Sequence, residues 1–313
     1  MKALVTGADG FVGRWLVEHL RREGDEVLEA CGQHAPTDEH RTRIDLRDPR
    51  DAQRVCDWAR PEAIYHLAAI AFGPDAQRAP AEALDVTVGG TLNLLRAAAL
   101  LDESPTVFIP SSGEVYGRPT TERVLSEDDP IAPVSAYGNT KAAQELVALA
   151  YHHAGTLPIV VARAFNHIGP GQRGAFVVAS FATQLAEVAA GSREPLLRVG
   201  NLATERDFTD VRDVVAAYHL LVAGRHAGGI FNVASGTAVS IGTILDRLVE
   251  ISGLEVQIEV DPDRVRQVDP PRIVGDATRI RAATGWEPQY TLDRTLRDVW
   301  TDASTRVSLA VQP

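Results

Sequence analysis

Ala3-Leu4-Val5-Thr6-Gly7-Ala8-Asp9-Gly10-Phe11-Val12-Gly13 is the stretch on which the reading of this chain turns. An apolar run of strand character meets three glycines at once, and an amphipathic helical pattern continues over 14–22. Gly7, Gly10 and Gly13 permit a tight turn, bring bare backbone N–H groups up to a phosphate, and let the helix pack on its strand. The helix start adds a partial positive charge. A glycine-rich loop alone is weak evidence, since glycines punctuate ordinary turns. Strand, loop and helix in this order favour a dinucleotide site over a structural turn.

Outward from this unit, strand-like and helical segments alternate. Strands are expected over 2–6, 26–31, 63–67, 106–110 and 159–165, and helices over 11–22, 51–59, 81–101 and 136–154. Parallel strands need crossovers, so the alternation predicts an α/β chain with a Rossmann-type doubly wound parallel sheet. Beyond Gly169 the pattern changes to Pro/Gly-rich loops, short strands and scattered helices, including 176–190, 211–223, 241–251 and 292–302. This reads as a smaller α/β C-terminal domain on the substrate side. The expected division is 1–168 for dinucleotide binding, with a returning segment around 211–235, and 169–313 mainly for substrate.

A chain of 313 residues carries enough apolar material for one or two domains. Its net charge of -11, with both signs interspersed, argues against nucleic acid or an anionic membrane as partner. Cys31 and Cys56 lack metal-ligand spacing and the histidines form no zinc pattern, so no metal is expected. With no membrane-length apolar run and no leader before the first strand, a cytoplasmic location is the expectation.

The second strong signal is Tyr137-Gly138-Asn139-Thr140-Lys141. Four residues apart on a helix, the phenol and the ammonium share a face. A nearby lysine favours phenolate and is expected to lower the tyrosine pKa toward a range useful for proton transfer. Upstream, the strand over 106–110 runs into Ser111-Ser112-Gly113-Glu114-Val115-Tyr116-Gly117, placing hydroxyls at the C-terminal end of a parallel strand, where such sheets bind ligands. A serine there is on its own more often a helix cap. Loop, serine and Tyr/Lys pair in chain order make coincidence a poor explanation.

Together these residues resemble the extended short-chain dehydrogenase/reductases that act on nucleotide sugars. The resemblance covers nearly the whole chain. It includes Asp45-Leu46, His66-Leu67-Ala68-Ala69, Gly90-Thr91-Leu92-Asn93-Leu94-Leu95, Asn232-Val233-Ala234-Ser235-Gly236 and Gly285-Trp286-Glu287-Pro288. Phe165-Asn166-His167-Ile168-Gly169-Pro170-Gly171-Gln172, Val199-Gly200-Asn201-Leu202 and Arg206-Asp207-Phe208-Thr209-Asp210 look most like the GDP-6-deoxy-D-mannose reductase branch. That branch reduces GDP-4-keto-6-deoxy-D-mannose to GDP-D-rhamnose.

The resemblance implies roles residue by residue. Tyr137 would protonate the developing alkoxide, Lys141 would bond the nicotinamide ribose, and Ser112 would hold the keto oxygen. Gly7, Gly10, Phe11, Val12, Gly13, Asp45, Leu46, Leu67, Ala68, Ala69 and His167 would line the cofactor with Tyr137 and Lys141. Asn166, Val177, Arg206, Arg266, Asp269 and Glu114 would meet the substrate, the arginines suiting a diphosphate. Glu114 leaves an alternative open, since the matching glutamate of related GDP-mannose 4,6-dehydratases removes a proton. Gly113 stands where glucose-type dehydratases carry an acidic aspartate. Other 4-epimerases and, least favoured, a non-catalytic dinucleotide sensor are the remaining readings.

Two further expectations follow. At the end of the second strand, Ala30-Cys31-Gly32-Gln33 has neither an acid for a ribose hydroxyl nor an arginine for a 2′-phosphate. NADH and NADPH therefore stay unresolved, as NAD(P)H. The alanine-rich helices over 92–101 and 142–152 would, by the resemblance, form a four-helix bundle between two subunits of a homodimer.

Overall fold

A computed structural model of the chain describes residues 1–118, 123–265 and 270–311. Its strands are β1 (Lys2–Thr6), β2 (Glu26–Cys31), β3 (Arg41–Arg43), β4 (Ala63–His66), β5 (Thr106–Ser112), β6 (Ile159–Ala164), β7 (Asn166–Ile168), β8 (Leu196–Val199), β9 (Glu205–Asp210), β10 (Ile230–Val233), β11 (Ala238–Ser240), β12 (Gln257–Val260) and β13 (Arg272–Ile273). The α-helices are α1 (Phe11–Arg22), α2 (Pro49–Ala59), α3 (Gly73–Arg78), α4 (Pro80–Leu84), α5 (Gly90–Ala98), α6 (Ala136–His153), α7 (Val177–Ala189), α8 (Val211–Ala223), α9 (Ile241–Ser252), α10 (Thr278–Thr284) and α11 (Leu292–Val311).

Successive strand residues face opposite sides, and here both sides are apolar. Ala3 and Val5 of β1 enter a core with α1 and α8, whereas Leu4 enters a second core with α2, α5 and α6. On β5, Phe108 joins the first core while Val107 and Ile109 join the second. The result is a parallel sheet of seven strands, ordered β3-β2-β1-β4-β5-β6-β10, with helices on both faces. The doubly wound fold expected from the alternation is therefore present. A separate core gathers α7, α9 and α11 against β8 and β9, and β9 pairs with β7, β11 and β13 in a second small sheet.

Two expected elements differ: the helix read over 292–302 runs on to Val311, and the segment over 81–101 is interrupted. The single helix read over 81–101 is divided into α4, a π-helical turn at Asp85–Gly89, and α5. Thr87 Oγ1 within that turn accepts the Ile70 N–H at 3.3 Å. Gly90 lies so close to Leu46 that a Cβ there would stand 3.0 Å from the Leu46 Cβ. The turn thus sets Thr87 and Gly90 against two loops at once, and π-turns of this kind collect at functional sites.

Candidate active site

The sheet order reverses between β1 and β4, and in such sheets ligands bind beyond the strand ends at that reversal. Thr6 and His66 are the paired last residues of the two strands. Gly7 follows with φ +69, and a Cβ there would fall 2.8 Å from Ala68 N, so only glycine lets the two loops touch. A Cβ on Gly13 would fall 2.2 Å from the Gly7 carbonyl oxygen, which fixes how closely α1 seats on the loop. Gly10 caps α1 with no side chain, and no acid occupies the first turn. The leading N–H groups of Phe11, Val12 and Gly13 are thus presented without a capping acceptor, in the geometry that receives a pyrophosphate. Leu67 and Ala68 are held by Thr6, through its carbonyl oxygen at 3.1 Å and its Oγ1 at 3.3 Å. Ala69 lies half-buried in the same loop. Of the pair Asp45-Leu46, Leu46 is buried, and Asn93 donates to its carbonyl at 2.8 Å. The Asp45 carboxylate is engaged by its neighbour Arg47, which draws its pKa down. His167 donates to the Phe165 carbonyl at 3.1 Å, and its ring lies parallel to Phe11.

A buried hydrogen-bonded chain runs from this crevice to Lys141. Thr91 Oγ1 donates to the Thr87 carbonyl at 2.5 Å, so it must accept from Gln144 Nε2 and His66 Nε2, both at 2.9 Å. His66 therefore carries its proton on Nε2 and accepts from Thr6 Oγ1 on Nδ1, at 2.8 Å. Burial, aided by the Lys141 charge, pushes the His66 pKa down to about 3, so the ring stays neutral. With Nε2 of Gln144 committed, its Oε1 faces Lys141 Nζ at 2.5 Å. Lys141 is 4% exposed, and burial drives its pKa down to about 7, only partly offset by Glu145. An ammonium has three protons; one goes to Gln144.

Tyr137 sits one turn before Lys141 on α6, with Ser112 beside its hydroxyl. The expected lowering of its pKa is not observed. Burial raises it well above the usual phenol value, the Glu114 charge adds to this, and Ser112 only partly opposes. With the ammonium turned to Gln144, desolvation outweighs any help from Lys141. Ser112 Oγ accepts the Glu114 N–H at 3.2 Å, capping a short 3₁₀ turn. Glu114 accepts from Ser135 Oγ at 2.7 Å, and the same Ser135 oxygen caps α6 by accepting the Gly138 N–H at 2.9 Å. The serine loop is thereby tied to the start of the helix that carries Tyr137. Gly113 abuts the Phe165 ring, and a Cβ there would stand 3.0 Å from it. An aspartate at that position would require the ring to move.

On the substrate side, Asn166 begins β7 and is exposed, and Val177, also exposed, begins α7. Arg206 lies on β9, 8% exposed, with Nη1 donating to the Glu205 carbonyl at 2.8 Å. Its neighbour Asp207 is fully buried and accepts from Ser235 N and Oγ, Gly236 N and Gly275 N, clamping β9 to the loop after β10 and to the segment after β13. Arg266 and Asp269 lie outside the described residues. The sequence reading missed the roles of Gln144, Ser135 and Thr6. Gln144 could have been noticed three residues after Lys141 on the same helical face, whereas Ser135 and Thr6 acquire their roles only from contacts distant in sequence.

A family model described as GDP-mannose 4,6 dehydratase matches residues 4–299. The chain is 35% identical over 308 residues to the GDP-6-deoxy-D-mannose reductase of Pseudomonas aeruginosa, covering 98% of each. It is 30% identical to the GDP-6-deoxy-D-talose 4-dehydrogenase of Aggregatibacter actinomycetemcomitans, covering 95% of each. Among solved structures, RMD from Pseudomonas aeruginosa complexed with NADPH superposes with a TM-score of 0.86 at 34% identity, over 98% of this chain and 100% of that one.

Proposed function

The chain belongs to the GDP-mannose 4,6 dehydratase family, and on that premise we propose that it is a nucleotide-sugar 4-ketoreductase. It reduces the 4-keto group of GDP-4-keto-6-deoxy-D-mannose to give GDP-D-rhamnose, using NAD(P)H. The observation that carries this reading is Tyr137 one turn before Lys141 on α6, with the Ser112 loop tied to the start of that helix through Glu114 and Ser135. Reduction of a ketone consumes a proton at oxygen, so its acid must start in the protonated form.

The residues present fit a dinucleotide. The uncapped start of α1 suits a pyrophosphate, and the bare Gly7 lets the loop after β4 close up beside it. When bound, NAD(P)H supplies the hydride. Lys141 holds its amide partner with one proton and has two left for the hydroxyls of the nicotinamide ribose. Ser112, its oxygen fixed by the Glu114 N–H, orients the keto oxygen toward Tyr137. Tyr137 gives that oxygen its proton as charge develops there. Asn166, Val177 and Glu114 face the sugar, and Arg206, with Arg266 and Asp269, is assigned to the GDP moiety. The buried clamp at Asp207 supports this assignment by fixing the strand that carries Arg206.

The division of labour between 1–168, joined by 211–235, and 169–313 is part of the same proposal. It is supported by α8 and β10 packing in the main sheet while α7, α9 and α11 share a core of their own. So is a homodimer through α5 and α6. Leu146 on α6 is 62% exposed and Leu100, just past α5, is 74% exposed, a poor arrangement for a helix pair facing only water. Light scattering should give a dimer mass that Leu146→Glu shifts toward monomer. No helix among the described residues is long and apolar enough to cross a membrane. A cytoplasmic location completes the proposal, supported by two buried free thiols, Cys31 and Cys56.

The test is to mix the protein with GDP-4-keto-6-deoxy-D-mannose and reduced nicotinamide cofactor and follow absorbance. Oxidation in step with sugar consumed, reduced by about 10²–10⁴-fold in Tyr137→Phe, supports the reading. Conversion of GDP-mannose to a keto sugar without added cofactor would instead make the chain a dehydratase.

A further inference from the structure

The segment Ala30-Cys31-Gly32-Gln33 at the end of β2 lacks the acid that a dinucleotide-binding sheet offers to the adenosine ribose. In space, an acid is there. The Gly7 and Ala8 N–H groups both approach the Ala30 carbonyl, at 2.8 and 3.5 Å, stitching the glycine loop to the end of β2. Asp9 follows directly, and its two carboxylate oxygens lie 3.3 and 3.2 Å from the Gly32 N–H. Asp9 and Gly32 are both exposed at this edge. The charge is felt locally: the Cys31 thiol is pushed up to about 11, first by burial and then by Asp9.

The cations of the edge are largely committed. Glu29, buried on β2, takes Arg21 Nη2 at 2.8 Å and Arg41 Nε at 2.9 Å. That pairing gives each Glu29 carboxylate oxygen a guanidinium partner. Arg43 donates Nε to the Ala35 carbonyl at 2.7 Å, and among the described residues it has no carboxylate partner. Its guanidinium therefore keeps an unpaired charge that could draw a phosphate.

We propose that Asp9 is the residue that selects the dinucleotide. Its carboxylate keeps the Gly32 N–H and accepts the 2′-hydroxyl of the adenosine ribose, and it repels a 2′-phosphate placed there. The chain therefore takes NADH in preference to NADPH. The inference rests on the dinucleotide site of the proposed function and not on the identity of the sugar.

Calorimetric titration of the full chain with NADH and with NADPH, no sugar present, tests it. Wild-type protein should bind NADH at least about tenfold more tightly, since one ligand gains a charge-assisted hydrogen bond and the other meets a like charge. Asp9→Asn, which keeps size and an acceptor for Gly32, should bring the two within about threefold, mainly by tightening NADPH. Raising salt from about 0.05 M to about 0.5 M should narrow the wild-type ratio by screening the repulsion, a readout that needs no variant. Equal or tighter binding of NADPH by the wild type, or a ratio indifferent to both Asp9→Asn and salt, overturns the inference. In that event, loss of NADPH binding in Arg43→Gln would make Arg43 the selecting residue. Failure of both dinucleotides to bind would overturn the site itself.

Discussion

Helix α6 carries two buried polar regions one turn apart, and they are built on opposite principles. Arg163, 2% exposed, meets Glu145 through two hydrogen bonds, at 3.1 and 2.5 Å, and also donates to the Tyr116 hydroxyl at 3.0 Å. Burial opposes its charge, but the Glu145 pairing more than compensates and holds its pKa above the usual value. Lys141 is as deeply buried, yet its bonded partner is the neutral amide of Gln144, and its pKa falls to about 7. One cation is neutralised and locks α6 to β6 and the 3₁₀ turn. The other is left without a bonded carboxylate, at the mouth of the cofactor crevice. The difference teaches where this protein spends stability: a cation bonded to a carboxylate holds the fold, and one bonded only to an amide is kept at the proposed cofactor site.

The largest effects should come from removing each cation's contribution. Lys141→Met should lower kcat/KM by about 10²–10⁴-fold while the protein still folds. Its stability relative to wild type should also depend on pH. A buried lysine with a depressed pKa costs the folded state most when the solution keeps it protonated. That cost is fully present below pH about 7 and fades as pH rises toward the ordinary lysine value of 10.5. The Tm of Lys141→Met relative to wild type, without cofactor, should therefore fall as pH rises through this window. A difference in Tm that is flat with pH would break the contrast.

Glu145→Ala, in the other region, should cost about 3–5 kcal/mol in urea unfolding, because it strands Arg163 without its counter-charge. Activity per folded molecule should survive far better than in Lys141→Met. A smaller and sharper effect is expected from Gln144→Glu, which gives Lys141 the partner that Arg163 already has. The carboxylate should raise the Lys141 pKa, moving the alkaline limb of the pH–rate profile upward by about one unit or more. Gln144→Ala should lose the hydrogen bond without that upward movement. If both variants shift the limb alike, Gln144 acts by packing alone.

Much of this was legible beforehand, because it rests on local chemistry. The glycine loop, the strand alternation and the Tyr137/Lys141 spacing each encode their structure within a few residues. The π-turn at Asp85–Gly89 was not legible, since it answers to Ile70 and Leu46, contacts distant in sequence. The direction of the Tyr137 shift was misjudged for a similar reason. Helical spacing puts the ammonium on the same face, but which way it points is decided by Thr91 and His66 on other elements. Asp9, at the edge of the second strand, escaped notice because its position is set by the loop and not by sequence order.

The measurement that bears most directly on the central claim is isotopic. Reduced nicotinamide cofactor carrying deuterium at its transferable position is incubated with the protein and GDP-4-keto-6-deoxy-D-mannose, and the sugar is read by NMR. The account predicts one deuterium at C4 of a GDP-D-rhamnose product, with none transferred by Tyr137→Phe beyond about one part in 10² of the wild-type rate. A product without deuterium at C4, or label appearing at C6, would contradict it.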